Sequence, residues 1–302
     1  MLIEQGDDLA ENLPSFDVDL LGRRINCMTV SNIVAAIHTA CIEQKKITVA
    51  HYNVHGFNFS LQLPWFYEYM QSTDITHCDS LGILNAISYM EGRKIPIGYR
   101  ASYTCLMPKL LEHCDRHHLS VFLLGSKPEY LQKAVEQLQI DYPNMIIHGR
   151  DGYFATDDPS ENAAVIHKIN SIKPQILIVG MGMPIQENWV RLHQSRLNVN
   201  AILTGGAVID RLAGIVPDCP KLLANTGWEW LYRLYLEPKR LAVRYLLGNP
   251  AFMFQVALAK FNSNYAKAIN TQNATTSLAG EYADLAHLMV ATPSVIDTTA
   301  IQ

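Results

Sequence analysis

Short β-rich runs alternate with helical patterns over most of this chain, and that alternation constrains the fold more than any single motif. The strand-like runs are Lys46–Asn53, Ile75–Cys78, Leu119–Leu124, Met145–His148, Gln175–Val179 and Ala201–Thr204. Helical patterns fill Val30–Gln44, Pro64–Gln71, Ser80–Met90, Cys105–Arg116, Pro128–Leu138, Ser160–Ile172 and Glu187–Leu197. Such alternation predicts βαβ units and an α/β fold, a Rossmann-like, mostly parallel sheet with helices on both faces. Right-handed crossovers then bring every βα turn to the same sheet edge. The turns His51–Gly56, Asp79–Gly82, Gly125–Pro128, Gly180–Glu187 and Gly205–Asp210 are therefore expected to converge on one cleft.

The pattern changes after Pro220. Gly227–Leu247 is dense in aromatics and arginines, and Pro238 is expected to open a second helical segment at its first turn. Beyond Asn262 the chain turns to Asn, Thr, Ala and Ser, which reads as a mobile tail with one short helix near Tyr282–Met289. The expected organisation is an α/β catalytic core over 1–220, a basic, aromatic helical appendage over 221–261 and a tail over 262–302.

Charge and cysteine usage remove several function classes. The balance of 24 basic to 28 acidic residues argues against a general nucleic-acid binder, so no nucleic-acid partner is expected. Cys27, Cys41, Cys78, Cys105, Cys114 and Cys219 are scattered with no CxxC pair, which points to reduced thiols in a cytosolic protein rather than a disulfide framework or a zinc site. The acidic start Met1-Leu-Ile-Glu-Gln-Gly-Asp-Asp8 lacks a signal-peptide h-region, and no apolar run approaches the roughly 18 residues that span a bilayer. The expectation is a soluble protein, or one resting on a membrane surface.

The richest turn is Gly180-Met-Gly-Met-Pro-Ile-Gln-Glu187, between an apolar strand and a helix. Glycines there let backbone approach a ligand, and a helix N-terminus favours anions. Pro184 fixes the turn, while Gln186 and Glu187 bring an amide and a carboxylate to the edge where open α/β sheets bind ligands. Asp79, in His77-Cys-Asp-Ser-Leu-Gly82, is either the cap of the next helix or a general base at a strand end. Asn53 is a turn residue on the plain reading. His51 and His55 sit in strand and turn, so a metal site between them is not expected. Gly205 and Gly206 allow close ligand approach, and Asp210 is either an acceptor for a base or ribose or a helix-surface acid. Arg233, Arg240 and Arg244 share a helical stripe with Glu237, interrupted by Pro238. Three readings stand for it: a solvated face, a basic cap on anionic lipid, or an inward fork for a diphosphate. With His51, Gly125 and Gly182, these turns complete the candidate substrate contacts.

Taken together these segments resemble the WecG/TagA/CpsF glycosyltransferases, family 26, from roughly Phe16 to Arg244. The most specific parts are Gly180–Glu187, Gly205-Gly-Ala-Val-Ile-Asp-Arg-Leu-Ala-Gly214 and Gly227-Trp-Glu-Trp-Leu-Tyr-Arg-Leu-Tyr-Leu-Glu-Pro-Lys-Arg240, joined by Asp151-Gly-Tyr-Phe154 and Leu123-Leu-Gly-Ser-Lys-Pro128. The resemblance implies inverting transfer from a UDP-sugar to a lipid-diphosphate-linked saccharide at the cytoplasmic membrane face, in exopolysaccharide or cell-surface glycan synthesis. It implies no metal and no further cofactor. Asp79 matches the proposed general base, Asn53 the Asn of a Thr-x-Asn motif, Gln186 the Gln of Pro-x-Gln-Glu and Asp210 the nucleotide-side acid. Arg100 matches the arginine opening Arg-Val-Thr-Gly-Ser-Asp-Leu. Arg233 and Arg240 match arginines of an appendage that closes over the site, and Arg244 falls in the same segment.

This chain departs from the pattern at His51, where Thr is usual, and at Arg100-Ala-Ser-Tyr-Thr-Cys-Leu106, where Tyr103 and Cys105 replace a Gly and an Asp beside the sugar. The sugar therefore stays open among N-acetylmannosamine, its uronic acid and a hexose such as glucose, and a homo-oligomer is left open too. The alternatives are a nucleotide-dependent oxidoreductase, weakened by the lack of a full GxGxxG after the first strand, and a non-catalytic UDP-sugar-binding subunit of a polysaccharide assembly.

Overall fold

The protein was analysed as a computed structural model, which describes residues 13–217, 219 and 228–264, without the side chain of Arg240. Expectations for the Arg240 side chain, for the tail beyond 264 and for the helix near Tyr282–Met289 lie outside the described residues. Its centre is an eight-stranded sheet in the order β1-β2-β4-β3-β8-β7-β5-β6. The strands are β1 Phe16–Leu20, β2 Arg23–Cys27, β3 Ile47–Tyr52, β4 Ile75–Cys78, β5 Ser120–Gly125, β6 Ile146–Arg150, β7 Ile176–Gly180 and β8 Ala201–Thr204. Seven run parallel and β1 alone is antiparallel, so the mostly parallel α/β reading is confirmed.

The helices are α1 Val30–Ile42, α2 Val54–Gln62, α3 Pro64–Ser72, α4 Leu81–Glu91, α5 Tyr103–Arg116, α6 Pro128–Asp141, α7 Pro159–Ile172, α8 Ile185–His193 and α9 Val208–Leu212. Side chains alternate across each strand, and both sets are apolar because both faces are covered. Val121, Leu123, Ile176, Ile178, Ala201 and Leu203 share one core with α1, α5 and α6. Their neighbours Phe122, Leu124, Leu177, Val179 and Ile202 are buried on the opposite side. There α2, α3, α7 and α8 lie, α8 being tied to α7 by the Trp189 Nε1 donation to Asn162 Oδ1 at 2.8 Å.

A hairpin of two strands and one helix were not anticipated from sequence. Phe16-Asp-Val-Asp-Leu20 and Arg23–Cys27 form a hairpin through Leu21 and Gly22, both at positive φ (53° and 78°), the geometry of a two-residue hairpin turn. Leu21 in place of a glycine or asparagine hid that signal. The stretch after Asn53, read as a turn, is helix α2, because the Asn53 side chain accepts from Gly56 N at 2.9 Å and caps it.

The appendage begins with α10 Glu229–Leu236, breaks at Glu237, and resumes at Pro238 in α11 Pro238–Ala242, which widens into a π-turn over Val243–Leu247. The compact unit holding the sheet ends at Met253; a second begins at Phe254, and its described part is helical through 264. No helix among the described residues is long and apolar enough to cross a membrane.

Candidate active site

The sheet order places β4, β3, β8 and β7 side by side at its centre, so the turns that follow these parallel strands meet at one carboxyl edge. A cavity of ≈ 650 Å³ occupies it. Its wall comes from the carboxyl ends of the four central strands: His51 and Asn53 after β3, Asp79 and Ser80 after β4, Gly182 and Met183 after β7, Gly205 to Val208 after β8. Arg100, Ser102 and Tyr103 close one side, and Trp230, Arg233, Arg244 and Tyr245 of the appendage form the roof. Of the sequence candidates, His51, Asn53, Asp79, Arg100, Gly182, Gly205, Gly206, Arg233 and Arg244 thus meet on one cavity.

Asp79 has its carboxylate free for chemistry. The cap of α4 is Ser80, whose Oγ accepts from Ile83 N, so the capping reading of Asp79 does not hold. Its backbone N–H donates to Tyr52 O at 3.0 Å and its Oδ1 accepts from Tyr103 N at 3.2 Å, which fix the side chain at the cavity floor. Burial alone would raise its pKa, but His51, His77, the Arg100 guanidinium and the Tyr103 N–H outweigh that, and it lies below the ordinary carboxylate value. Asp79 is therefore an ionised acceptor at neutral pH.

The charge around it is positive. Arg100, Arg211, Arg233 and Arg244 line the cavity against two carboxylates, Asp79 and Glu229. Arg100 donates through Nη2 to Glu229 Oε2 at 2.6 Å, joining the strand side of the cavity to its helical roof. Arg233 Nε is buried and has no hydrogen-bond partner. Arginine forks on a cleft wall suit phosphate oxygens.

Beneath the floor lies a buried polar layer that sequence reasoning missed. His51 and His77 face each other in the β3–β4 register, 5.7 Å between ring centroids, and Tyr103 stacks edge-on to His51 at 4.8 Å. His77 lies two residues before Asp79, on the same side of the strand, a period-2 relation readable from sequence. Both nitrogens of His77, Nδ1 of His51, the Tyr69 and Tyr103 hydroxyls, Thr204 Oγ1 and Glu187 Oε2 are buried without partners. Burial pushes His77 down to about 3, and it lowers His51, so both are neutral at pH 7.

Five sequence candidates lie away from the cavity wall among the described residues: Gly125, Pro184, Gln186, Glu187 and Asp210. Gln186 is fully buried. Its Oε1 accepts from Gly182 N (3.2 Å) and Gly206 N (2.9 Å), and its Nε2 donates to Glu187 Oε1 (2.7 Å). It clamps the β7 and β8 loops together. Glu187 is equally buried, and its pKa is pushed up to about 7 by that burial. Asp210 accepts from Ser126 Oγ in the β5 loop. A Cβ on Gly125 would stand 2.3 Å from Gly180 O, so this glycine serves loop-to-loop packing and not ligand approach. Pro184 follows a cis peptide and starts α8. The common reason is topological: β5 lies outside the four central strands whose ends form the cavity wall, and the first turn of α8 carries Gln186 and Glu187 back into the core.

Glu229 was the main wall residue missed. Sequence offers it only as an acid in the first turn of a helix; its partner Arg100 is brought up by the tertiary fold.

The chain matches the family model described as glycosyl transferase WecG/TagA/CpsF family over residues 18–266. It is similar to the N-acetylglucosaminyldiphosphoundecaprenol N-acetyl-beta-D-mannosaminyltransferases of Staphylococcus aureus strains NCTC 8325 / PS 47 and COL. Each is 27% identical over 252 residues, which are 83% of this chain and 96% of the relative. The protein of strain MRSA252 is similar over the same extent.

Proposed function

Because the chain belongs to the WecG/TagA/CpsF glycosyltransferase family, we propose that it transfers a sugar from a UDP-sugar to a lipid-diphosphate-linked saccharide with inversion. The observation that carries this is Asp79: ionised, held by Tyr103 N, released from capping, and set in the floor of an arginine-walled cavity at the carboxyl edge of the sheet. In the proposed step Asp79 takes the proton of an acceptor hydroxyl as that oxygen forms the new bond to the anomeric carbon. The bond from that carbon to UDP breaks on the opposite side, and UDP departs with its electron pair. Arg233 and Arg244 neutralise the departing diphosphate, assisted by the open glycine turns at Gly182 and Gly206. Arginine charge takes the place that a divalent cation fills elsewhere, so transfer is expected to persist in chelator. Gln186 acts as a positioning residue for those turns.

The relatives' names supply an acceptor ending in N-acetylglucosamine on a polyprenyl diphosphate, and this reading carries it over. The roof supports a membrane-bound acceptor. Trp228, Leu231, Tyr235, Val243, Leu246 and Leu247 are exposed on its helices, a surface suited to a headgroup layer. The proposed location is the cytoplasmic membrane face. The family speaks against a dinucleotide reading, and the uncapped, ionised Asp79 favours a catalyst over a non-catalytic subunit.

The test is Asp79→Asn, assayed with a synthetic lipid-diphosphate N-acetylglucosamine and a panel of UDP-sugars. Asparagine keeps the acceptor for Tyr103 N, so the fold and UDP affinity are expected to hold while turnover falls about 10²–10⁴-fold. Transfer by the variant at wild-type rate would overturn the assignment.

A further inference from the structure

On the sheet face away from α2 and α3, helices α1 and α5 pack together and bring His38, His113 and His117 to one point. Their ring centroids are 4.7 Å (His38–His113), 4.7 Å (His38–His117) and 4.2 Å (His113–His117) apart. One nitrogen from each lies within 4.8 Å of the others. We infer that these three imidazoles form a binding site for a divalent transition-metal cation of the zinc class, distinct from the catalytic cavity.

Three features of the cluster support this. His113 in the last turn of α5 and His117, the residue that caps its C-terminus, stand i, i+4, with His117 N donating to His113 O at 3.1 Å, and His38 approaches from the neighbouring helix. Zinc–nitrogen bonds of about 2.0–2.1 Å set nitrogens about 3.4 Å apart in a tetrahedral site, so side-chain rotations of under about 1 Å close the present spacing. Nδ1 of His38 and Nε2 of His113 are buried with no hydrogen-bond partner, a cost that a bound cation would remove.

The surroundings define the ligand chemistry. Cys41 and Cys114 on the same two helices are buried in the apolar core, apart from the three imidazoles, so the site is all-nitrogen, with a fourth position for water. Arg116, the nearest cation on α5, is paired with Glu112 at 2.8 Å. His113 lies in the last turn of α5, where the helix dipole favours positive charge. Ten residues of helix rise separate His113 from Tyr103 at the cavity, about 15 Å. The cation would staple α1 to α5 rather than join the transfer reaction.

The experiment uses the full chain, stripped with chelator and titrated with Co²⁺ and then Zn²⁺. Expected are one equivalent bound at micromolar affinity or tighter, a cobalt spectrum of low coordination number, and a zinc-dependent rise in Tm of several degrees. His117→Gln, at an exposed position, is expected to keep the wild-type circular dichroism and UDP binding while weakening metal affinity at least tenfold; His38→Asn is the second variant. Equal affinity in wild type and both variants, meaning adventitious coordination by other histidines, would overturn the site. So would the absence of a stoichiometric complex in the wild type. UDP binding and transfer are read separately, so failure here leaves the proposed function standing.

Discussion

At the scale of single residues, glycines in equivalent-looking turns do unlike work. Gly125 and Gly206 both have positive φ (146° and 60°), and both follow parallel strands. A Cβ at Gly125 meets Gly180 O at 2.3 Å, whereas a Cβ at Gly206 meets nothing within 4 Å. Gly125→Ala is thus expected to cost on the order of 3 kcal/mol or more, from overpacking added to backbone strain. Gly206→Ala should cost about 1 kcal/mol in stability, from φ alone, while weakening donor affinity. Urea unfolding beside UDP titration separates the two, and the opposite ranking of stabilities would refute the packing argument. The glycines were legible as close approaches, but what they approach was not. A ligand and a neighbouring loop demand the same missing Cβ.

At the scale of elements, the appendage shows what a stripe on paper becomes in a fold. Arg233, Arg240 and Arg244 share a helical phase in the sequence, yet Pro238 divides the segment into α10 and α11. Arg233 and Arg244 nevertheless both reach the cavity, because the break folds the two helices over one opening. Their outer surfaces are apolar, with Tyr235 80% and Leu247 66% exposed, far more than an isolated surface residue requires. Tyr235→Ser with Leu247→Ser is expected to weaken sedimentation with phospholipid vesicles roughly tenfold, at about 1 kcal/mol or slightly less per side chain. Activity on a water-soluble acceptor analogue should remain. If both measurements fall together, the helices serve catalysis and not docking.

At the scale of the whole molecule, the polar layer under the cavity makes stability depend on pH through opposed groups, Glu187 on one side and His77 with His51 on the other. Glu187 ionises at about 7 in the folded state against 4.5 ordinarily, so its contribution is complete below 4.5 and is lost as pH rises through 7. His77 ionises at about 3 against 6.5, so its contribution is complete above 6.5 and is lost as pH falls toward 3. Between 4.5 and 6.5 the Glu187 and His77 slopes cancel, at about 1.4 kcal/mol for each unit of displacement, and His51, lowered by its burial, adds a fall in stability as pH drops from 6.5. Wild-type Tm should therefore fall only gently as pH drops through that window. Glu187→Gln should expose the His77 slope, with stability falling as pH drops from 6.5. A flat profile in the variant would show that the two groups do not carry these shifts.

The sequence by itself determined six of the sheet's eight strands, the edge on which the turns meet, and the identity of the residues ending β3, β4, β7 and β8. Hydrophobic periodicity and crossover handedness are local and chiral rules, and they fix those features without knowledge of contacts. The six strands read from sequence are all present, and Asp79, Asn53 and His51 came to one cavity from the ends of β3 and β4. Only the tertiary structure decided which way each end residue faces. It turned Gln186 and Glu187 into the core, paired Arg100 with Glu229, tied Asp210 to Ser126, and gathered His38 with His113 and His117. Each of those outcomes depends on strand order and helix packing between residues far apart in the chain. A local pattern carries no information about such neighbours.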